Sequence, residues 1–421
     1  MHGEETVMAT VEIISIGSEI VLGQIIDSNA HYIAKSLTEK GFQVVFKTTV
    51  GDDKGLMRSA LKIAKNRADL VVTTGGLGPT ENDVTREVVS GVCGVGLVPC
   101  ENAEEYIRKW SQVWKKHTVG MLKKQILVPE GAQVIPNDNG TAAGFSFRHG
   151  GAEIVCLPGV PGEMRPMLNT YLWRCSLLQY EGGCAMVRNL HTFGVSERGI
   201  EDKIKHFSEK NKKIKMMTLV SNGIVTITAR VAVTAREQAV ELLDRTEQDL
   251  REELGDAVFG VDDAGLECEV ARLLKKRNKT ISVAESCTGG LVSHLLTNIS
   301  GISAFFLEGV VAYSNRAKIG VLHVPEGLIV KCGAVSPQVA KAMAEGIRIK
   351  ASADIGVGIT GIAGPTGGTR EKPVGLVCIA VAGDDGTEVK ECRFGGARID
   401  IKYFSANTAL NMVRLKLLNN T

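Results

Sequence analysis

The chain has 421 residues, of which 44% are hydrophobic and 23% are charged. At roughly 100–200 residues per domain, this length predicts two or three domains with sizeable cores. The composition is that of an ordinary globular protein, which argues against a disordered chain and against a membrane protein. A net charge of +2 and an aromatic content of 5% also argue against a dedicated nucleic-acid-binding protein.

The ten cysteines stand singly along the chain, with no CxxC pair. This spacing argues against a zinc module and against a disulfide framework. The N-terminal stretch carries two acids before the first strand-like run, which is not the pattern of a signal peptide. No uncharged apolar window is long enough to span a bilayer. We therefore expect a cytoplasmic protein whose cysteines are reduced.

From residue 11 to about 170, short β-branched runs alternate with helical patterns. The predicted elements are, in order, a strand at 11–19, a helix at 28–41 closed by Gly41, a strand at 42–51, a helix at 52–68 and a strand at 69–76. Strict alternation of apolar strands with helices predicts a parallel sheet covered on both faces. Ligand sites in such sheets lie at the carboxyl ends of the strands.

The pattern changes between about 171 and 260. Strand-like runs at 191–195, 213–220 and 223–233 surround Ser-Asn-Gly at 221–223, which predicts a tight hairpin, and a mixed-charge surface helix follows at 236–255. A helix at 267–279 then leads into a strand at 280–286 and a second region of strands, helices and glycine-rich turns. The predicted domains are 8–170, a small α+β module at 171–262, and 263–418.

The first candidate site is TTGGLGPTENDVT at 73–85. Its glycines allow positive φ angles, and the exposed N–H groups of such a turn can cradle phosphate. Oxygen-bearing side chains follow that suit a hard cation such as Mg²⁺: Thr80, Asn82, Asp83 and Thr85. Two plainer interpretations stay open: a purely structural turn, and Asp83 as the N-cap of the helix beginning TREVV.

The second candidate site is AESCTGGLVS at 284–293, directly after a strand. Ser286 has the position of a nucleophile at a helix N-terminus, where N–H groups stabilise developing negative charge. His294 lies eight residues on and is better placed as a helix-surface residue than as the base. Tyr313 and Lys318 are the alternatives, since a buried lysine with a lowered pKa can deprotonate serine in a Ser-Lys dyad.

Each residue of this second site also has a plainer interpretation. Ser286 suits a helix N-cap, Tyr313 a core aromatic, and Lys318 a solvated surface charge. A glycine-rich loop after a buried strand, within 357–381, adds Thr360, Gly361 and the glycine-rich run 364–368, which suit a phosphate-bearing substrate.

Four motifs together resemble the N-terminal half of the CinA family: GSEIVLGQIIDSN at 17–29, TTGGLGPTENDVT at 73–85, LVPEGAQVIPNDNGTAAGF at 127–145 and LPGVPGEM at 157–164. That half is similar to molybdopterin-binding domains. The resemblance implies a nucleotide or molybdopterin-like ligand, and a metal-dependent ADP-ribose pyrophosphatase activity. It also implies a diphosphate-binding set, Gly75, Gly76, Gly78, Thr80 and Asn29, and metal-ligand candidates, Asp83, Asp27, Glu19 and Glu163.

The chain departs from this family pattern at Asn82-Asp83, where two adjacent acids are usual. The loss of one carboxylate weakens the case for tight binding of a divalent cation. Each of the four acids also has an alternative role as a helix cap or a surface group.

Four further motifs are similar, in their order along the chain, to the C-terminal domain of CinA proteins: ESCTGG, the Tyr-x₄-Lys pair, GAVSPQVA at 333–340 and GITGIAGPTGG. The stand-alone form of that domain is nicotinamide mononucleotide amidohydrolase. The resemblance implies Ser286 as nucleophile, Lys318 as general base, Tyr313 as a hydrogen-bonding partner in the dyad, and Thr360 as a substrate-positioning or oxyanion group.

The same resemblance implies a set of substrate contacts: Thr288, Gly289, Gly290, Gly361, Gly364, Thr366, Gly367 and Arg398. The family arginine normally follows an acid in a Gly-Asp-Arg segment, which here reads Gly396-Ala397-Arg398. The absence of that acid leaves the orientation of Arg398 open.

The sequence thus predicts an α/β protein with a molybdopterin-binding-like three-layer parallel-sheet domain, a small α+β middle module and an α/β amidohydrolase domain. The implied function is salvage of pyridine nucleotides, with nicotinamide mononucleotide and ADP-ribose as substrates, a divalent cation such as Mg²⁺ in the N-terminal site and no cofactor in the amidase site. We expect a homodimer with no membrane or nucleic-acid partner. Two alternatives remain: an N-terminal half that only binds or regulates, and a non-enzymatic accessory protein of DNA uptake or recombination.

Overall fold

The computed structural model describes residues 9–114, 123–175, 184–210, 212–233 and 236–419. Residue 8, where the first predicted domain begins, lies outside these ranges. The chain forms two compact units, Met1–Val187 with Arg230–Leu243, and Arg188–Ala229 with Asp244–Thr421. The division into three domains stays a prediction. In the described part of the chain, no helix is both long and apolar enough to cross a membrane.

The first part of the chain alternates strands with helices, as the sequence predicts. The strands are β1 (Thr10–Ile16), β2 (Gln43–Val50), β3 (Leu70–Thr74), β4 (Leu97–Pro99), β5 (Leu127–Pro129), β6 (Gln133–Ile135), β7 (Gly144–His149) and β8 (Ala152–Leu157). The helices are α1 (Ser18–Val21), α2 (Ser28–Glu39), α3 (Lys54–Lys65), α4 (Thr85–Cys93), α5 (Glu101–Trp114) and α6 (Pro161–Arg174).

Six of these strands form one sheet in the order β2-β1-β3-β8-β7-β6. The first four are parallel, whereas β7 and β6 are antiparallel to their neighbours. The predicted parallel sheet is confirmed for these four strands, whereas β7 runs antiparallel to β8. The reason lies in the Gly150-Gly151 turn, because a turn this tight between β7 and β8 can join only antiparallel strands.

Alternate residues of β1 pack on opposite faces of the sheet. Val11 and Ile13 lie in a core with α2 and α6, while Ile14 and Ile16 lie in a core with α3 and α4. This alternation gives the predicted three layers. β2 departs from the prediction that both faces are covered, because it is an edge strand and five of its eight residues are exposed.

The middle segment follows a βαββαβ order: β9 (Cys184–Phe193), α7 (Glu197–Lys210), β10 (Ile214–Ser221), β11 (Ile224–Val233), α8 (Arg236–Leu254) and β12 (Val258–Val261). Its sheet has the order β10-β11-β9-β12. The predicted hairpin is confirmed, since Asn222 and Gly223 connect β10 and β11 with φ angles of 53° and 79°.

The remaining elements are β13 (Ile281–Glu285), β14 (Phe306–Val311), β15 (Ile355–Gly361), β16 (Leu376–Gly383) and β17 (Gly386–Arg393), with α9 (Leu266–Arg277), α10 (Leu291–Thr297), α11 (Asn315–Leu322), α12 (Glu326–Cys332), α13 (Pro337–Lys350) and α14 (Arg398–Asn419). The sheet order is β14-β13-β15-β16-β17. The three strands β14, β13 and β15 are parallel, so their carboxyl ends meet at one edge.

Helices cover both faces of this second sheet. One core joins it to α9, α10 and α14, and the other joins it to α11, α12 and α13. Two glycines of β15 allow α13 to approach closely. A Cβ atom added to Gly356 would lie 2.1 Å from the carbonyl oxygen of Ala344, and one added to Gly358 would lie 2.3 Å from that of Ala340.

Candidate active site

Ser286 lies at the carboxyl end of the central strand β13. Its N–H donates to the carbonyl oxygen of Ile359 at 3.0 Å, which continues the ladder between β13 and β15 by one residue. Ser282 and Ser286 share a strand face because side chains alternate. The hydroxyl of Ser282 donates to the carbonyl of Ile347 in α13. Ser286 therefore faces the helices α11–α13 and is itself nearly buried, at 8% exposure.

Lys318 comes from α11, which begins after Ser314. The hydroxyl oxygen of Ser314 accepts from the N–H of Ala317 at 3.1 Å and so acts as the N-cap. The Lys318 side chain is 2% exposed. Its Nζ donates to the Oγ of Ser286 at 3.0 Å and to the carbonyl oxygen of Ala312 at 2.9 Å. The end of β13 and the helix α11 thus bring the two predicted dyad residues, Ser286 and Lys318, into direct contact.

Burial also sets the electrostatics of Lys318. In the described part of the chain, no carboxylate lies within ion-pair distance of its Nζ. Desolvation lowers the pKa of the ammonium group below its usual value, and the Cys287 thiol opposes this only partly. The interpretation of Lys318 as a solvated surface charge is therefore wrong. The N-cap interpretation of Ser286 is wrong too, because the N-cap of α10 is Gly290.

The N-terminus of α10 does not point its N–H groups at Ser286. The buried carboxylate of Glu285 accepts from the backbone N–H groups of Gly290, Val292 and Ser293 at 2.9, 3.2 and 2.9 Å, and from the Ser293 hydroxyl at 2.8 Å. The expectation that this helix terminus stabilises negative charge at Ser286 is therefore wrong. Three N–H groups at this terminus are already occupied by the carboxylate of the residue before Ser286.

Glu285 is a functional candidate that the sequence analysis missed. It is fully buried, and its hydrogen bonds tie the end of β13 to the start of α10, so they fix the turn that carries Ser286. A signal was available in the sequence. An acid at the end of an apolar strand, followed by two glycines and a serine, is a pattern for a carboxylate that caps the next helix.

Tyr313 contacts Arg398 rather than the dyad. Its side chain is 61% exposed, so the core-aromatic interpretation is wrong. Its hydroxyl accepts from the Nη2 of Arg398 at 2.9 Å, and the Nη1 of Arg398 donates to the carbonyl oxygen of Gly364 at 2.6 Å. These two oxygens orient Arg398 in place of the acid that is absent at Ala397.

The other predicted residues surround this cleft. The Thr360 hydroxyl is buried and donates to the carbonyl oxygen of Ala334 at 2.8 Å, so its hydrogen is already used within the protein. Thr288 is fully buried, and among the described residues its hydroxyl has no hydrogen-bond partner. The remaining predicted contacts lie in the two glycine turns after β13 and β15: Gly289, Gly290, Gly361, Gly364, Thr366 and Gly367. His294 is exposed on α10, as predicted.

A second cleft lies at the carboxyl ends of β3 and β8. The amide nitrogen of Asn29 donates to the Oγ1 of Thr74 at 3.0 Å and to the carbonyl oxygen of Gly159 at 2.7 Å. Gly75 has a φ of 112°, and a Cβ atom there would lie 2.2 Å from the carbonyl oxygen of Ile16. Only glycine fits this turn. The structure therefore brings Asn29 and the glycine turn together at the expected edge.

Asp83 folds back onto this glycine turn. Its Oδ2 accepts from the N–H and the Oγ1 of Thr80 at 2.9 and 2.6 Å. A Cβ atom added to Gly78 would lie 2.6 Å from the same oxygen. The interpretation of Asp83 as an N-cap is wrong, because α4 begins after Val84 and has no side-chain cap. The carboxylate stabilises the loop instead.

The other predicted metal ligands have separate roles. Asp27 caps α2 by accepting from the N–H of Ala30 at 2.8 Å, and Glu19 folds over Gly17. Glu163 accepts from Asn137 at 2.7 Å, and burial raises the pKa of its carboxyl. Among the residues that the structure describes, no three acidic, cysteine or histidine side chains lie where they could hold a metal ion.

The four acids therefore do not form a metal site made by the protein alone. Mg²⁺ is commonly held by one or two carboxylates together with substrate phosphates, and Asp83 is the acid at the glycine turn.

Arg86 supports the same turn from inside the protein, and the sequence analysis missed it. The side chain is 1% exposed, and its Nη1 and Nη2 donate to the carbonyl oxygens of Leu77 and Ala143 at 2.8 and 3.1 Å. Burial lowers the pKa of the guanidinium to about 10. It still carries its charge at neutral pH, so Arg86 places a buried cation beneath the turn.

Comparison with known families accounts for most of the chain. The models described as "CinA C-terminal domain", "Probable molybdopterin binding domain" and "Damage-inducible protein CinA KH domain" match residues 263–417, 12–175 and 187–260. A "CinA-like protein" of Dictyoglomus thermophilum is 41% identical over 413 residues, which cover 97% of this chain and 99% of that protein. The chain belongs to the CinA family.

Two further CinA relatives are similar to this chain. A "Putative competence-damage inducible protein" of Caldanaerobacter subterraneus subsp. tengcongensis is 40% identical over 405 residues, which cover 96% of this chain and 97% of that protein. The crystal structure of the competence/damage inducible protein CihA from Agrobacterium tumefaciens is 40% identical and covers 37% of this chain and 98% of that one, with a TM-score of 0.35.

The match to the CinA KH domain covers the middle segment, for which the sequence analysis proposed no function. KH domains clamp nucleotides with a GxxG loop. No GxxG occurs between residues 187 and 260 of this chain.

Proposed function

We propose that the C-terminal part of the chain hydrolyses the carboxamide of nicotinamide mononucleotide to nicotinic acid mononucleotide and ammonia. Ser286 is the nucleophile and Lys318 its general base. The observation that carries this proposal is the position of the buried Lys318 Nζ, 3.0 Å from the Ser286 Oγ. Burial holds the lysine pKa below its usual range, and a neutral amine can accept the serine proton.

In the first half of the reaction, neutral Lys318 takes the proton from the Ser286 hydroxyl as Oγ attacks the carboxamide carbon. The tetrahedral intermediate then collapses, the carbon–nitrogen bond breaks, and the ammonium form of Lys318 gives its proton to the leaving nitrogen. Ammonia leaves, and the nicotinoyl group remains on Ser286 as an ester.

In the second half, Lys318 is neutral again and takes a proton from water. The resulting hydroxide attacks the ester carbon, the carbon–Oγ bond breaks, and the proton returns to Ser286. The product is nicotinic acid mononucleotide. No metal is required in either half, since proton transfer and a covalent ester supply the chemistry.

The proposed substrate suits this site chemically. Its positively charged pyridinium ring withdraws electrons from the carboxamide carbon and so favours attack by a neutral serine. Arg398 lies on the same edge, held by Gly364 and Tyr313, and can bind an oxygen of the nucleotide.

The direct test is to incubate the pure protein with nicotinamide mononucleotide and to measure ammonia. Wild type should release it, and Ser286→Ala should lose several orders of magnitude in rate while staying folded. Ser282→Ala is the matched control, because it removes a hydroxyl from the same strand face outside the site. Near-wild-type release by Ser286→Ala would exclude Ser286 as the nucleophile.

We also propose, as a second activity, that the N-terminal cleft hydrolyses the diphosphate of ADP-ribose with Mg²⁺ or a similar cation. The glycine turn, Asn29 and the buried Arg86 at one sheet edge support an anionic ligand there. Hydrolysis that depends on added metal is the expected result. Binding of ADP-ribose without hydrolysis would favour a ligand-binding or regulatory role.

We further propose that the protein acts in the cytoplasm as a homodimer and without a nucleic-acid partner. The nine cysteines that the structure describes are all free thiols, which suits a reducing compartment. Light scattering tests the dimer. DNA binding that weakens steeply with salt would revive the role in DNA uptake or recombination.

A further inference from the structure

Lys402 brings a second cation to the turn that carries Ser286. It lies one helical turn after Arg398 on α14, so the two side chains share a face of that helix. A Cβ atom added to Gly289 would lie 3.7 Å from the Lys402 Nζ. The N–H of Gly289 donates to the carbonyl oxygen of Ser286 at 3.1 Å. The ammonium group is therefore close to the nucleophile's own turn.

Neither cation is neutralised by the protein. In the described part of the chain, Lys402 has no hydrogen bond and no carboxylate within ion-pair distance. Arg398 contacts only two neutral oxygens, those of Gly364 and Tyr313. The acids of the adjoining segments are engaged elsewhere, since Glu285 accepts from the start of α10 and Asp400 accepts from the N–H of Ala397.

Two unpaired cations on one side of a cleft attract an anion. Gly289 leaves space beside the Lys402 Nζ, because it presents no side chain there. Lys402 is also only partly buried and has no partner in the fold, so its removal should not disturb folding.

We infer that Lys402 binds the phosphate group of the substrate and makes the site select a phosphorylated nucleotide over the free nucleoside. This inference rests on the proposed amidase function. A charge-assisted hydrogen bond to phosphate strengthens binding in both the ground state and the transition state, so its loss appears mainly in KM.

The experiment compares ammonia release from nicotinamide mononucleotide and from nicotinamide riboside, which lacks the phosphate. Lys402→Met should lower kcat/KM for the mononucleotide by roughly ten- to hundredfold, mostly through KM, and leave the riboside unchanged. Lys402→Arg should retain most of the wild-type preference. Lys276→Met, which removes an exposed lysine of α9, is the matched control for net charge and should change neither substrate.

A binding measurement separates this inference from the proposed function. Calorimetry with nicotinamide mononucleotide on the Ser286→Ala background needs no turnover, and adding Lys402→Met should weaken binding by the same factor. Three results would overturn the role of Lys402. They are equal binding with and without Lys402→Met, no binding to either protein, and equal losses for both substrates in the kinetic assay. A wild-type protein that binds the mononucleotide but releases no ammonia would instead contradict the proposed function alone.

Discussion

Glu285 accepts hydrogen bonds from both the backbone N–H and the hydroxyl of Ser293, at 2.9 and 2.8 Å. The carboxylate thereby occupies the N-terminus of α10 and fixes the turn at residues 286–290. Ser286, which follows Glu285 in the chain, is held in place by this turn and by its backbone hydrogen bond to Ile359 of β15. The N-terminus of α10 therefore holds the turn rather than the substrate.

Replacing Glu285 should therefore impair both folding and activity. Glu285→Gln keeps the shape of the side chain but offers one acceptor oxygen where the carboxylate offers two, and it places an amide against backbone N–H groups. We expect a loss of about 1–3 kcal/mol in the free energy of unfolding, together with a lower kcat. Urea denaturation and ammonia release measure the two effects. The exposed Glu326→Gln is the control, and equal behaviour of the two variants would contradict a structural role for Glu285.

Tyr313→Phe distinguishes a substrate-side role from a role as base. Removal of the hydroxyl frees the Arg398 Nη2 but leaves the contact between Lys318 and Ser286 intact. KM for nicotinamide mononucleotide should rise several-fold, with a small change in kcat. Steady-state kinetics of ammonia release provide the measurement. A collapse of kcat with unchanged KM would show that Tyr313 takes part in proton transfer.

Asp83→Ala should weaken the hydrolysis of ADP-ribose and leave deamidation unchanged. The carboxylate lies against the glycine turn and holds Thr80, so its loss loosens the loop and, on the proposed metal-dependent activity, also removes a metal ligand. A titration with Mg²⁺ separates the two effects, because only loss of a ligand raises the metal concentration needed for half-maximal rate. The neighbouring exposed Glu81→Ala is the control. A reduced rate at an unchanged metal midpoint would restrict Asp83 to loop stabilisation.

Lys318 should also make stability depend on pH. Its folded pKa is lowered from 10.5, so between that lowered value and 10.5 the unfolded chain binds a proton that the folded protein does not. The free energy of unfolding should rise with pH across this window. Lys318→Met should lose this part of the slope, as measured by urea denaturation at several pH values. Parallel curves for the two proteins would indicate that the lysine stays charged.

The sequence predicted those features that depend on local pattern. The apolar run at 280–286 placed Ser286 at a strand end, and β13 ends directly before it. The sequence analysis predicted no element for Lys318, which lies in α11. The family resemblance and the logic of a Ser-Lys dyad paired the two residues, and the structure brings the Lys318 Nζ to 3.0 Å from the Ser286 Oγ.

Features that depend on tertiary contacts could not be predicted in this way. The partner of Tyr313 is 85 residues away along the chain, and nothing near Tyr313 identifies Arg398 as that partner. Similarly, the sequence analysis did not single out Arg86, which is buried and donates to the carbonyl oxygens of Leu77 and Ala143. The reversal of β7 relative to β8 followed from the glycine turn at 150–151, which the prediction from the preceding alternation of strands and helices did not include.

Lys318→Arg tests the need for a base that can lose its proton. Guanidinium keeps its proton at any working pH, so this variant should be nearly inactive although its charge is retained. Lys318→Met should be inactive as well, because Ser286 is left without a base. Circular dichroism checks folding in both variants. Retention of most of the wild-type rate by Lys318→Arg would reassign the lysine to binding of the phosphate.

The central claim is that Lys318 is neutral when Ser286 attacks, and the most direct measurement is the pH dependence of kcat/KM for ammonia release from nicotinamide mononucleotide. Because only the deprotonated amine acts as the base, the rate should rise with pH through the lowered lysine pKa and level off above it. The midpoint should lie below 10.5, the value of an unperturbed lysine. A profile that stays flat from about pH 6 to 9, or one that rises only near the unperturbed value, would contradict the dyad.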